Sequence, residues 1–159
     1  MRALTLGLAA LAAAMVPAAA QAQQRGSNVI DVSSNDAAMN GAIANARRQL
    51  PDFFARLAAP RPGEHSFTIK FDLLPEPGKA EYIWAEIVTR SGGVTVARLA
   101  NNPVDPRWKI GEKVTVRDED IVDWGYFRDG VMQGHFTTRA LLPALDPAQA
   151  AEVRKALGW

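Results

Sequence analysis

Two histidines are the first side chains of this sequence to consider for chemistry. His65 and His135 lie far apart, and neither belongs to the H-x-x-x-H or H-E-x-x-H spacing that brings two imidazoles onto one zinc ion. Cysteine is absent, so no thiolate can serve as a ligand or a nucleophile. Even with Glu81 as a third ligand, the pattern predicts no metal site. No glycine-rich phosphate loop or G-x-S-x-G motif indicates a cofactor or a nucleophilic serine.

Asp123 is a carboxylate inside a mainly hydrophobic segment. Asp129-Gly130 is a preferred pair for a two-residue hairpin turn, so residues 121–128 and 131–138 are predicted to pair as antiparallel strands. This register puts Asp123 on the more aliphatic face of the hairpin, which we expect to look inward. The predicted pairs include Phe127 with Met132, Gly125 with Gly134, Asp123 with Phe136, and Trp124 with His135.

A carboxylate in such surroundings needs a partner, because an unpaired buried charge costs several kcal/mol or takes up a proton. The candidate partners of Asp123 are Arg139, the backbone N–H groups of the preceding loop, and Asn101 or Asn102. Two roles stay open. The favoured role is a structural carboxylate whose hydrogen bonds are all made, since buried ion pairs shift pKa values without catalysing a reaction. The alternative is a catalytic acid.

Aromatic side chains form a second candidate site. The register places Trp124, Tyr126 and His135 on the outer face of the hairpin, while Tyr82 and Trp84 share one face of their own strand. If these faces join, they make an amphipathic aromatic patch of the kind that is enriched at binding sites. The alternative is that the N-terminal helices cover the patch as a second core layer.

The segments that must position these residues begin with helices. Capping side chains at residues 33–36 predict a helix start, and small residues recur at helical spacing over 38–46. Pro51 interrupts this pattern. Because proline fits the first turn of a helix better than its interior, Pro51 is predicted to begin a second short helix that carries Phe53 and Leu57.

From His65 onward the hydrophobic period changes to two, which is typical of half-buried strands. Phe67, Ile69 and Phe71 are predicted to face the core. Further strand-like runs cover 81–89, 94–99, 114–116 and 121–138, with a hairpin loop of about three residues at 91–93 and a final helix after Asp146-Pro147. The predicted fold is therefore α+β, with N-terminal helices packed on a curved antiparallel sheet of five or six strands and a short C-terminal helix.

The N-terminus reads as a cleavable signal peptide. Arg2 precedes an apolar run over residues 3–16, and Ala20-Gln21-Ala22 matches the small-residue cleavage pattern. The apolar run is shorter than the ~20 residues of a membrane-spanning helix. We therefore expect a signal peptide over 1–22, a flexible leader over 23–32 and one soluble domain over 33–159, located in the periplasm or secreted.

Charge is balanced, with 18 Lys and Arg residues against 17 Asp and Glu residues. Nucleic acids and anionic membrane surfaces require clustered positive charge, so the composition argues against both as main partners. For an exported domain, the expected partner is a periplasmic protein or an envelope component. The oligomeric state stays open.

Seven short sequence pieces occur in order along the chain. They are Phe67-Thr68-Ile69-Lys70, Glu81-Tyr82-Ile83-Trp84, Asn101-Asn102-Pro103, Gly111-Glu112-Lys113-Val114, Ile121-Val122-Asp123-Trp124, Gly134 and Thr138-Arg139. In this order they resemble the YegJ-like family, catalogued as domain of unknown function twenty-three fourteen, over roughly residues 36–142. The resemblance implies a small bacterial α+β domain without an established enzyme activity or cofactor.

The resemblance also bears on the site. Many members of that family carry His where this chain has Tyr82, and this departure argues against metal binding there. The candidate structural or functional core residues are Glu81, Trp84, Asn101, Asp123, Gly134 and Arg139.

Two functions follow as hypotheses. The first is a non-catalytic binding or protein-interaction domain, and the second is a hydrolase-like enzyme that uses Asp123 with His135 or Glu81. The predicted register places Asp123 and His135 on opposite faces of one hairpin, where they could not act as an acid/base pair. The sequence therefore favours the binding domain and assigns no catalytic residue.

Overall fold

One long helix precedes six strands, and two shorter helices follow them, in the computed structural model, which describes residues 37–74 and 80–159. The elements are α1 (Ala37–Ala58), β1 (Glu64–Asp72), β2 (Tyr82–Ser91), β3 (Val94–Leu99), β4 (Lys113–Arg117), β5 (Ile121–Arg128), β6 (Val131–Gly134), α2 (Phe136–Leu141) and α3 (Pro147–Leu157). The predicted signal peptide, the leader and the capping residues 33–36 lie outside the described residues.

The six strands form one open sheet in the order β4-β3-β2-β1-β5-β6, and every neighbouring pair is antiparallel. The predicted α+β class is confirmed. In β1 the alternation predicted for Phe67, Ile69 and Phe71 is also confirmed, since all three are buried. Between β2 and β3 the loop comprises two residues rather than three, because Ser91 already pairs with Val94.

Helix α1 is a single helix, so the prediction that Pro51 starts a second helix is wrong. Ala46 and Leu50 before the proline are buried, and so is Phe53 after it. Proline in a helix interior costs about 3 kcal/mol. Packing of both halves of α1 on the same sheet offsets that cost, because tertiary contacts routinely override local helix propensity.

The β5–β6 hairpin has the predicted register as far as Gly125 opposite Gly134. Beyond that pair the prediction of a longer strand is wrong, because Gly134 and His135 both adopt left-handed backbone conformations, at φ +75° and +52°. Two such residues in succession turn the chain out of the strand, and α2 begins at Phe136. The predicted pairing of Asp123 with Phe136 therefore does not form.

A β-bulge in β5 interrupts the regular alternation of side chains that was predicted for this strand. Lys70 of β1 pairs with Asp123, but the next residue, Phe71, pairs with Ile121, so Val122 is an extra residue. Ile121 consequently shares the core face of Phe71, and Asp123 points to the opposite face. The expectation that Ile121 and Asp123 lie together on the inward face is wrong.

Candidate functional site

Trp124 and Tyr126 lie beneath α1 rather than on an outer face. Trp124 stacks on Phe53, with ring centroids 4.9 Å apart, and its Nε1 donates a hydrogen bond of 2.9 Å to the carbonyl of Ala46. Tyr126 stacks on Phe67 at 4.9 Å. The helix thus covers both rings as part of the core, which is the second of the two alternatives that the sequence left open.

The other aromatic candidates lie on the opposite face of the sheet. Trp84 pairs with Lys70, and Lys70 pairs with Asp123, so these three side chains share one face. The imidazole of His135 stacks on the Trp84 ring at 3.9 Å. Trp84 and Trp124 therefore do not form one aromatic patch. The prediction that Asp123 and His135 lie on opposite faces is also wrong, because the chain leaves the hairpin at Gly134.

Glycine at position 125 makes room for the imidazole. A Cβ atom on Gly125 would overlap the His135 ring and would lie 2.8 Å from its Nε2. Tyr82, two residues before Trp84 on β2, is half exposed on the same face. Of the residues predicted for the aromatic patch, Tyr82, Trp84 and His135 share one face, while Trp124 and Tyr126 belong to the other.

Asp123 is completely buried and hydrogen-bonded, as predicted. Its Oδ1 accepts bonds from the amides of Trp124 (2.8 Å) and Phe136 (3.1 Å). Its Oδ2 accepts bonds from the amide (2.8 Å) and the hydroxyl (2.6 Å) of Thr137. The predicted partners Arg139 and Asn101 are wrong, because the turn at residues 134–135 brings the first amides of α2 to the carboxylate instead. No sequence motif signals this arrangement.

Lys70 completes a buried polar network with Asp123 and Thr137. Its Nζ donates a hydrogen bond of 3.2 Å to the Thr137 hydroxyl. Burial raises the pKa of Asp123, although the hydrogen bonds from Thr137, Trp124 and Phe136 act in the opposite direction. Burial also lowers the pKa of Lys70, and the nearby Asp123 charge opposes that shift. Because Thr137 is only 1% exposed, its hydroxyl is inaccessible to a substrate.

His135 is held neutral. Burial and the positive charges of Lys70 and Arg139 lower its pKa to about 3. Its Nδ1 lies 3.3 Å from the Thr138 hydroxyl. A general base is most effective when its pKa is near the working pH, so this imidazole is a weak base for neutral-pH catalysis.

Glu81 and Asn101 attach the loop after β3 to strand β2. The Glu81 carboxylate accepts hydrogen bonds from the amides of Val104 (2.5 Å) and Asp105 (3.2 Å). Asn101 Oδ1 accepts a bond of 3.1 Å from the amide of Trp84. Both side chains therefore have structural partners and lie apart from Asp123.

Arg139 covers the outer edge of β6 and bonds carbonyl groups there. It donates hydrogen bonds to the carbonyls of Gly134 (3.0 Å) and Met132 (3.1 Å), and its guanidinium lies 3.7 Å from the centre of the Trp159 ring. Trp159 Nε1 donates a further bond of 2.9 Å to Met132. Covering an edge strand in this way protects it from pairing with other chains.

A groove of about 660 Å³ lies between α1 and strands β5 and β6, and we call it the α1–β6 groove. Aromatic rings line its floor: Phe53, Trp124, Tyr126 and Phe136. Its rim carries Arg56, Arg128 and Arg139. The groove brings together four predicted site residues, namely Trp124, Tyr126, Gly134 and Arg139. Sequence reasoning missed Phe53, Arg56 and Arg128, because separate elements carry them and no motif links these residues.

Two of the three rim arginines, Arg56 and Arg128, share one buried carboxylate. Glu64, whose side chain is inaccessible, lies 3.0 Å from Arg128 Nε and 3.6 Å from Arg56 Nε. Burial alone would raise the pKa of Glu64, but a hydrogen bond from the Arg61 amide, together with Arg128 and Arg56, outweighs burial and lowers it. The guanidinium side chains remain 41% exposed for Arg128 and 26% for Arg56. The rim therefore presents positive charge to solvent.

Comparison of the sequence with known proteins shows the family to which the chain belongs. Residues 36–159 match the family DUF2314, described as an uncharacterized protein conserved in bacteria. The chain belongs to the DUF2314 family. It is 28% identical over 121 residues to the uncharacterized protein YegJ of Escherichia coli (strain K12), which covers 76% of this chain and 77% of the relative. No solved structure matches the chain.

Two further properties of this DUF2314 domain concern metals and membranes. In the ranges 37–74 and 80–159, no cluster of three or more His, Asp or Glu side chains is arranged to hold a metal ion. Within the same ranges, no helix is both long and apolar enough to cross a bilayer.

Proposed function

We propose that this chain is an exported, non-catalytic binding domain whose ligand site is the α1–β6 groove. The observation that carries the proposal is the combination of an aromatic floor with a charged rim. Binding pockets are mainly apolar clefts in which a few polar groups fix the orientation of the ligand. Two stacked contacts, Phe53 on Trp124 and Phe67 on Tyr126, hold the floor rigid, so the groove is preorganised.

The groove also differs from the site of a hydrolase. The two carboxylate oxygens of Asp123 accept four hydrogen bonds, and the Glu81 carboxylate accepts hydrogen bonds from two loop amides. His135 is neutral, with a pKa of about 3. A hydrolase needs a reachable base or nucleophile beside the substrate, and none of these three groups lines the α1–β6 groove. These arrangements support binding over catalysis.

Export is part of the same proposal. Its support is the sequence of residues 1–22, with its basic start, apolar run and small-residue cleavage pattern. An exported domain meets periplasmic proteins and envelope components, and these are the proposed source of the ligand.

The test is a nuclear magnetic resonance titration of the protein that begins at Gln23. Mixtures of acidic, basic and neutral hexapeptides serve as the probes. We expect shifts of the Trp124 indole and the Gln133 amide, which lie at the groove, and unchanged signals from Tyr82 on the other face. Peptides that shift no groove resonance at millimolar concentration would contradict the proposal.

A matched pair of variants localises the site. Ala55 is exposed on α1 and lines the groove, so Ala55→Trp fills the groove without disturbing the core. Ala44 is also exposed on α1 but lies outside the groove, so Ala44→Trp is the control. We expect Ala55→Trp to abolish the peptide shifts and Ala44→Trp to preserve them. Equal binding by both variants would place the site elsewhere.

A further inference from the structure

We infer that the α1–β6 groove takes an acidic peptide, with carboxylates on the arginine rim and an apolar side chain on the aromatic floor. This inference rests on the proposed binding function and names the chemical class of the ligand. Three arginines and one acidic residue, Asp52, line the groove. The nearby Glu64 compensates part of this charge from a buried position, so the surface that a ligand meets is positive.

The rim arginines retain hydrogen-bonding capacity for such a ligand. A guanidinium carries five N–H donors. Arg128 directs Nε to Glu64 and Nη2 to the Tyr126 hydroxyl. Arg139 directs its hydrogen bonds to the carbonyls of Gly134 and Met132, which are neutral groups and do not cancel its charge. Carboxylates are suited to the remaining donors, because arginine binds them with paired, charge-assisted hydrogen bonds.

The floor distinguishes a peptide from a simple anion. Phe136 is partly exposed at the floor and Trp124 is 6% exposed, so the floor offers a small apolar surface, which a small inorganic anion would leave unused. Gln49 and Gln133 also line the groove, and their carboxamides can bond the backbone of an extended peptide. The nearly equal numbers of basic and acidic residues argue against a nucleic acid, which would need a larger positive surface.

The experiment compares peptides rather than relying on protein variants alone. Fluorescein-labelled Glu-Phe-Glu-Phe-Glu and its uncharged counterpart Gln-Phe-Gln-Phe-Gln are titrated with the protein that begins at Gln23, with anisotropy as the readout. We expect the acidic peptide to bind about tenfold more tightly at low salt and to lose this advantage as salt rises. A peptide of five glutamates tests the need for the aromatic floor and is expected to bind more weakly than the acidic peptide with Phe.

Arginine variants provide the second measurement. Arg56→Gln removes a rim charge and leaves Glu64 paired with Arg128, so the fold is expected to persist. Arg48→Gln is the matched control, because Arg48 is exposed on the same helix outside the groove. We expect Arg56→Gln to weaken binding of the acidic peptide about fivefold and Arg48→Gln to leave it unchanged.

Each outcome separates the two proposals. If both Phe-containing peptides shift the groove resonances with equal affinity, the acidic class is overturned while the binding function stands. If pentaglutamate or a DNA oligonucleotide binds as tightly as the acidic peptide with Phe, the groove recognises charge alone and the peptide class is overturned. If none of these probes reaches the groove, the proposed function is contradicted as well. Equal weakening by Arg56→Gln and Arg48→Gln overturns the role of the rim.

Discussion

The imidazole of His135 lies flat on the indole of Trp84, with ring centroids 3.9 Å apart and planes inclined by only 8°. Trp84 belongs to β2, whereas His135 follows β6, so the contact reaches across the face of β1 and β5. It fixes the segment that leads into α2, whose first amides bind Asp123. A ring pair, a buried carboxylate and a helix start thus form one structural unit.

The buried imidazole should make stability dependent on pH. The pKa of His135 in the folded protein is about 3, below the unfolded value of about 6.5, because of burial and the charges of Lys70 and Arg139. As the pH falls below about 6.5, the unfolded chain takes up this proton first, so folding stability decreases. Between pH 7 and 4.5 we expect the wild type to lose about 2 kcal/mol more than His135→Gln.

Urea unfolding at a series of pH values measures this difference. Comparison with the variant cancels the contributions of Asp123 and the other carboxylates. His65→Gln, which removes an exposed imidazole, is the control for the loss of a histidine as such. Parallel curves for wild type and His135→Gln would show that His135 does not have this low pKa.

Removal of the Asp123 carboxylate should be strongly destabilising. Asp123→Ala leaves the amides of Phe136 and Thr137 without their acceptor in a buried site, and it leaves Lys70 without its nearest counter-charge. We expect a loss of about 2–4 kcal/mol in the free energy of unfolding. Denaturant melts measure the loss. The exposed Glu152→Ala serves as the control, and a difference of less than about 0.5 kcal/mol between the two variants would contradict the prediction.

The turn after β6 should not tolerate a side chain at Gly134. Its φ of +75° is strained for other residues, and an added Cβ would lie 2.6 Å from Cε3 of Trp124 and overlap the Trp124 carbonyl oxygen. Gly111 has a similar φ of +80° but open space around it, so Gly111→Ala measures the backbone strain alone. We expect a loss of about 1 kcal/mol for Gly111→Ala and more than about 3 kcal/mol for Gly134→Ala in thermal or urea melts. Equal losses would mean that Trp124 moves aside.

Export predicts a defined N-terminus. Protein recovered from the periplasm should have the intact mass of a chain that begins at Gln23, because cleavage follows Ala22. Ala22→Leu should block processing, since the cleavage site requires a small residue there, while Gln21→Leu at the intervening position should be processed normally. Recovery of the full chain from Met1 in the membrane fraction would refute the signal peptide.

Local sequence patterns were sufficient to predict the structure of a segment wherever that structure depends on the segment alone. The alternation of Phe67, Ile69 and Phe71 predicted both a strand and its buried face, since side chains alternate across any strand. Asp129-Gly130 predicted the hairpin turn and the register of the four pairs nearest to it. The hydrophobic neighbours of Asp123 predicted that its carboxylate would be buried and bonded, because a buried carboxylate needs hydrogen-bond donors in any fold.

Features that depend on contacts between two separate elements could be determined only from the tertiary structure. Pro51 stays helical because the sheet packs against both halves of α1, and Ile121 and Asp123 lie on opposite faces because of a bulge opposite β1. Three of the four hydrogen bonds that Asp123 accepts come from Phe136 and Thr137 of α2, which follow the left-handed turn at Gly134 and His135. The rim of the groove joins Arg56 of α1 to Arg128 of β5 through Glu64 of β1. The spacing of these residues along the sequence does not predict these contacts. The groups come together because distant segments pack against each other, and local conformational preference does not encode that packing.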